Sequence, residues 1–165
     1  MPTEDATLPE GAFDGRAAFQ SQLHAALDAA AREGWRELVF SDPTFADWPL
    51  GERTSIERLN AWASSGRTLL LLAGSFSVFE RDHMRFVDWR RTWSHIVDCR
   101  ACSGAGAPRV PSAIWSPSWQ MHRIDVERSR GVSGRDPERR RALREQIDEC
   151  LRRGRPAFPV TTLGL

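Results

Sequence analysis

The chain has 165 residues, of which 41% are hydrophobic and 27% charged, a balance that suits one globular domain with its own core. It contains no lysine, so all 23 basic residues are arginine. That excludes a phosphate loop ending in Gly-Lys-Ser/Thr, Schiff-base catalysis and a lysine general base.

Net charge is +1, yet residues 1–80 carry 6 arginines against 12 acids and residues 81–165 carry 17 against 10. Any positive field therefore belongs to the second half. The acidic start, "MPTEDATLPEGAF", has no apolar core, so no export signal is expected. Cys99, Cys102 and Cys150 then read as free thiols in a cytoplasmic protein. No apolar run reaches the roughly 18–20 residues of a membrane span, so no membrane partner is expected.

Residues 1–13 read as a flexible acidic arm and 14–165 as one domain with an apolar tail. Asp14 or Gly15 can start a helix that runs to about Arg32, with Phe19, Leu23, Ala26, Leu27 and Ala30 inward and Gly34 closing it. "WRELVFSD" follows as a buried strand, and "PTFADWPLG" as a loop. Glu52 to Ser65 form a second amphipathic helix, with Ile56, Leu59 and Trp62 inward, and "RTLLLLAG" a strand buried on both faces. The stretch "ERDHMRFVDWRRTWSH" places Phe86, Trp89 and Trp93 on one helical face together with Phe79 before it. "HIVDCRAC" is a third strand. The α-β-α-β-α-β order of the first hundred residues predicts a parallel sheet covered by helices, and the fold expected for the whole chain is α/β with a mixed, largely parallel sheet and helices on both faces. "SAIWSPSWQMHRIDVER" reads as two strands about a turn, and "SRGVSGR" as a loop. Asp136 caps a last helix with Pro137 at its first position and Leu143, Ile147 and Cys150 inward.

Several constellations could carry chemistry. His83 and His95 could act as an acid/base pair, with Arg85, Arg90 and Arg91 holding an anion. The same stretch is also an amphipathic helix clamped to the sheet, and its one-sided aromatics favour that reading. His95, Cys99 and Cys102 have soft-ligand spacing for zinc but lack a fourth ligand, so no metal or cofactor is implied. Asp42 and Ser75 fall beyond the carboxyl ends of parallel strands, where open α/β sheets bind ligands. With Arg85, Arg90 and Arg123 they make up a candidate anion site. The run "DPERRRALREQIDECLRRGR" could bind nucleic acid, but its interleaved acids read as a salt-bridged face, so nucleic acid is not the favoured partner.

On element order and the strands "ELVFSD", "TLLLLAG" and "HIVDCRAC", followed by the hairpin "SAIWSP–SWQMHRID", the chain resembles one half of the phospholipase D-like fold, in particular uncharacterised bacterial relatives. The His-x-Lys-x-x-x-x-Asp catalytic motif of that family does not carry over. Laid on this hairpin it would fall on Pro111, Ala113 and Ser118, and no lysine exists to complete it. The resemblance implies a non-catalytic homodimer that binds a protein partner or an anionic ligand. The alternatives are a divergent phosphodiesterase using His122 or His83 as nucleophile near Asp125, and a nucleic-acid-binding module. A protein-binding module would expose an apolar patch, for which Trp48, Trp115 and the tail are the candidates.

Overall fold

The structure, a computed structural model, describes residues 7–159. Its elements in chain order are β1 (Gly11–Asp14), α1 (Arg16–Glu33), β2 (Glu37–Asp42), α2 (Arg53–Trp62), β3 (Thr68–Ala73), α3 (Phe79–Asp82), α4 (Met84–Thr92), β4 (Val97–Ala101), β5 (Ser112–Trp115), β6 (Gln120–Asp125), β7 (Arg130–Gly134), α5 (Pro137–Arg152) and β8 (Arg155–Pro156). The strands form one sheet in the order β1-β7-β6-β5-β2-β3-β4-β8.

The α/β class, the mixed sheet and the helices on both faces are as expected, but antiparallel pairings outnumber the parallel ones that were expected to dominate. Two of seven pairings, β2–β3 and β3–β4, are parallel, and the other five are antiparallel. The reason is the connection length. Helical crossovers return the chain in the same direction from β2 to β4, whereas β5, β6 and β7 follow one another through short turns that reverse it.

Side-chain alternation along the strands divides the interior in two. Leu38, Phe40, Leu69, Leu71, Val97, Cys99, Ile114 and Met121 face a large core that α1 to α4 cover. Val39, Leu72 and Ala113 face a smaller core covered by α5 through Leu143, Ile147 and Cys150. Gly34 ends α1 in the left-handed conformation, φ 71°, its N–H bonded to the Ala30 carbonyl. The Asp136 carboxylate accepts the Glu138 N–H at 3.1 Å, so α5 begins as its sequence dictates.

Three features depart from the expected elements. Gly11–Asp14, expected as the end of the arm and the start of the first helix, form an edge strand paired with β7, which occupies the expected loop. Gly131 permits the close β6–β7 approach on the other side of β7, because a Cβ there would collide with the His122 carbonyl. The third helix breaks in two at His83 (φ −128°, ψ 37°). There the Nε2–H donates to the Phe45 carbonyl at 2.8 Å, and Gly51 lies so close to the Asp82 carbonyl that no Cβ would fit. The tail adds a two-residue strand against β4, and Phe158 stacks on Phe76 with centroids 5.3 Å apart; residues 160–165 lie outside the described residues.

The clamp reading of residues 80–95 holds at Phe86 and Trp89, which are buried. Trp93 is only half-buried, its indole donating to Asn60 Oδ1 at 3.3 Å and stacking on His95. Trp89→Ala should therefore lower unfolding free energy by about 3–5 kcal/mol, and Trp93→Ala by clearly less, as read by urea denaturation. Equal losses would contradict this difference in packing.

Candidate functional site

At the carboxyl end of β2 the chain buries a cation. Arg123, on β6, is 1% exposed. Its Nη2 donates to Asp42 Oδ1 at 3.0 Å and its Nη1 to Asp47 Oδ2 at 3.1 Å and Ser129 Oγ at 3.1 Å. Its Nε donates to Ser112 Oγ at 2.9 Å, and the guanidinium lies 3.9 Å from the centroid of Phe19. The second oxygen of Asp42 accepts the main-chain N–H of Thr44 at 3.1 Å and of Phe45 at 2.8 Å. Two non-glycine residues in this network hold positive φ, Phe45 at 61° and Ser129 at 52°. Such backbone costs of order 1–3 kcal/mol each, and the bonds from Asp42, His83 and Arg123 hold it in place. The arrangement brings together two expected ligand-binding residues, Asp42 and Arg123. Asp42 directs its oxygens to Arg123 and the main chain, and Arg123 makes four hydrogen bonds to protein oxygens, so the pair ties β6 to the end of β2.

The other expected site residues lie apart. Ser75 is exposed, and its hydroxyl accepts the Ser77 N–H at 3.2 Å. Arg85 donates to the Gly51 carbonyl at 2.7 Å. Arg90 is buried and donates to the Phe158 carbonyl, its guanidinium 4.9 Å from that ring's centroid. His83 is buried against Phe79, while His95 is exposed on Trp93, so the acid/base pair does not form. Cys99 faces the large core and Cys102 the small one. The soft-ligand set therefore does not converge, and no group of three metal-binding side chains occurs among the described residues. Burial pushes the Cys99 thiol up to about 12. Asp125 is held by Arg128, whose main-chain N–H bonds to it at 3.1 Å and keeps its carboxyl below the usual range. Trp48 is buried and Trp115 half-buried beneath Arg144, so neither builds an exposed apolar patch.

One concavity of about 170 Å³ gathers groups that remain unused. It lies between α5 and β6, and Arg109, His122, Ile124 and Gln146 line it. Arg123 borders it as well, but His122 and Arg123 are consecutive on a strand and point to opposite faces, and the Arg123 guanidinium lies on the Phe19 side. A histidine thus meets one available arginine here, Arg109, which the sequence offered no reason to choose. Desolvation lowers the His122 pKa, so the imidazole resists protonation in the folded protein.

No protein-family model matches the chain, and no curated protein matches it either. A solved structure does, the one described as "Structure of TrmBL2, an archaeal chromatin protein, shows a novel mode of DNA binding". The TM-score is 0.60 at 12% identity, over 88% of this chain and 54% of that one. This chain thus spans about half the length of the protein it resembles. The likeness is one of fold, and it corrects the expected phospholipase D-like assignment: the neighbour is an archaeal chromatin protein, and neither that family nor its bacterial relatives find support. The homodimer implied by that resemblance loses its ground with it. No helix among the described residues is long and apolar enough to cross a membrane.

Two outcomes follow from these contacts. Arg123→Leu leaves Asp42 buried without its cation and should lower unfolding free energy by about 3–5 kcal/mol in urea denaturation; wild-type stability would show that the network does not hold the β2 end. His122 has a folded pKa below its unfolded value. Its contribution is thus present above the unfolded pKa, about 6.5, and is lost as pH falls toward the folded one. Melting temperature should fall over that acid range, and the fall should be shallower in His122→Gln.

Proposed function

We propose that this chain is a non-catalytic binding domain that works within a nucleic-acid-binding protein. The dispersal of the histidines supports the first half of that reading. His24 bonds Ser55, His83 is buried, His95 lies on Trp93, and His122 lines the concavity beside α5. A phosphodiesterase needs a nucleophile, an acid and a charge clamp within reach of one phosphorus, and no such set converges among these residues. The fold shared with a DNA-binding chromatin protein supports the second half.

Direct contact with DNA phosphates would form at the amino end of α5. Arg140 bonds only a main-chain carbonyl, that of Arg135, and the Arg141 side chain has no partner among the described residues. Elsewhere on the helix the charges are neutralised: Arg139 by Asp136, Arg144 by Glu37 and Asp148, and Arg152 and Arg153 by Glu149. Contact through two arginines is weak. Each released counterion contributes about −0.9 to the log–log salt dependence, so the slope should be about −2.

Anisotropy of a labelled duplex should show weak binding at low salt with that slope, abolished by Arg140→Glu with Arg141→Glu. Absence of binding at low salt would sink the nucleic-acid half of the reading. For the other half, bis(4-nitrophenyl) phosphate should not turn over above the buffer rate. Turnover lost on His122→Ala would make the domain an enzyme.

A further inference from the structure

The concavity between α5 and β6 combines three unengaged donors with an apolar floor. The side chains of Arg109, His122 and Gln146 make no hydrogen bond or ion pair among the described residues, and Val110, Pro111 and Ile124 lie beside them. No carboxylate lines it. Ile124 is 66% exposed, and only Met84 joins it as an exposed large hydrophobic among the described residues. An exposed isoleucine beside a free guanidinium is a surface that water serves poorly on both counts.

The backbone that presents Arg109 is held on both sides. The Cys150 thiol donates to the Arg109 carbonyl at 3.7 Å and the Cys102 thiol to the Pro108 carbonyl at 4.0 Å. Ser41 Oγ donates to the Pro111 carbonyl at 2.6 Å. The main chain is thus fixed while the guanidinium stays free, which lowers the ordering cost of receiving a ligand.

We propose that this concavity binds a small monocarboxylate carrying a short apolar chain, with Arg109 and His122 on the carboxylate and the chain over Ile124 and Pro111. At about 30 Å³ per water-sized group, the volume admits roughly five or six heavy atoms. The planar fork of one arginine matches a carboxylate in two parallel bonds. A phosphate dianion would ask for more cations and gain nothing from the apolar floor. The acids nearest by position, Glu145 and Glu149 on α5, line a neighbouring concavity that Arg109 and Gln146 also border; Glu149 there pairs with Arg152 and Arg153, and neither acid forms an ion pair with Arg109 among the described residues. Asp125 on β6 is occupied by Arg128. Because desolvation favours the neutral imidazole of His122 in the empty site, a bound carboxylate favours its protonated form, and binding strengthens as pH falls, with uptake of a proton.

The proposal rests on the non-catalytic reading only in treating the concavity as a receptor. Sodium butyrate, titrated at fixed ionic strength against the intact chain, should shift the NMR signals of the His122 ring and the Gln146 side-chain amide. Arg109→Gln, which removes no internal contact, should weaken binding by about tenfold or more. Arg109→Lys should recover part of the affinity, and His122→Gln should abolish the pH dependence while leaving the fold intact. Absence of a saturable shift would overturn the proposal, as would an equal shift in Arg109→Gln, or binding of inorganic phosphate in preference to butyrate. None of these results bears on whether the protein hydrolyses a phosphodiester. Conversely, turnover of that substrate would end the non-catalytic reading and leave butyrate binding standing.

Discussion

The buried guanidinium of Arg123 is the contact on which the rest of the molecule depends. Through it β6 reaches β2 at Asp42, the loop after β2 at Asp47, β5 at Ser112 and the turn before β7 at Ser129. A cation in a dry interior carries a desolvation penalty of several kcal/mol. Here it is offset by four hydrogen bonds, two of them to carboxylates, and by the face of Phe19. Its geometry also fixes register. β6 slipped by one residue would turn the charge into the small core, where Val39, Leu72 and Ala113 offer it no acceptor. Seated as it is, the cation joins the antiparallel half of the sheet to the parallel half.

That junction sets the character of the two faces. On one side α1 to α4 lie over β2, β3 and β4 and cover a wide core that includes Trp48, Trp62 and Phe86. On the other α5 covers Val39, Leu72 and Ala113 and leaves Ile124 outside its cover. One helix on that face produces a concavity at its margin, because a sheet of eight strands is wider than a single helix. The thiols of Cys102, which sequence spacing suggested as a metal ligand, and of Cys150 instead secure the segment at that margin through main-chain carbonyls.

What the sequence made legible was local. The periodicity of α1, the Gly34 stop, the Asp136–Pro137 start of α5 and the apolar runs of β2 and β3 depend on neighbouring residues, and each is found where expected. The phospholipase D-like resemblance rested on the order of those elements and went further than such order can carry. β1 and β7 were missed because "GAFD" and "RGVSG" are short and glycine-bearing, and their pairing joins residues far apart in the chain. The break at His83 was invisible for a similar reason. It depends on the Phe45 carbonyl and on the close approach of Gly51, neither adjacent in sequence. Asp42 was noticed at a strand end and Arg123 as a candidate anion-binding residue on a strand. Their union across 81 positions was not readable, and with it went the sense that they were structural.

Arg123 and Arg109 show how position decides what one residue type does. The first sits mid-strand on the face that α1 covers, where four hydrogen bonds to protein oxygens and the face of Phe19 answer its burial. The second sits on a segment held by its own carbonyls, which consumes the main chain and leaves the guanidinium in contact with water. In a chain with no lysine both tasks fall to the same side chain, and composition cannot separate them. Burial and hydrogen-bond accounting can: a buried cation bonded to protein oxygens belongs to the fold, and an exposed one without a partner beside exposed apolar surface is the group with binding capacity to spare.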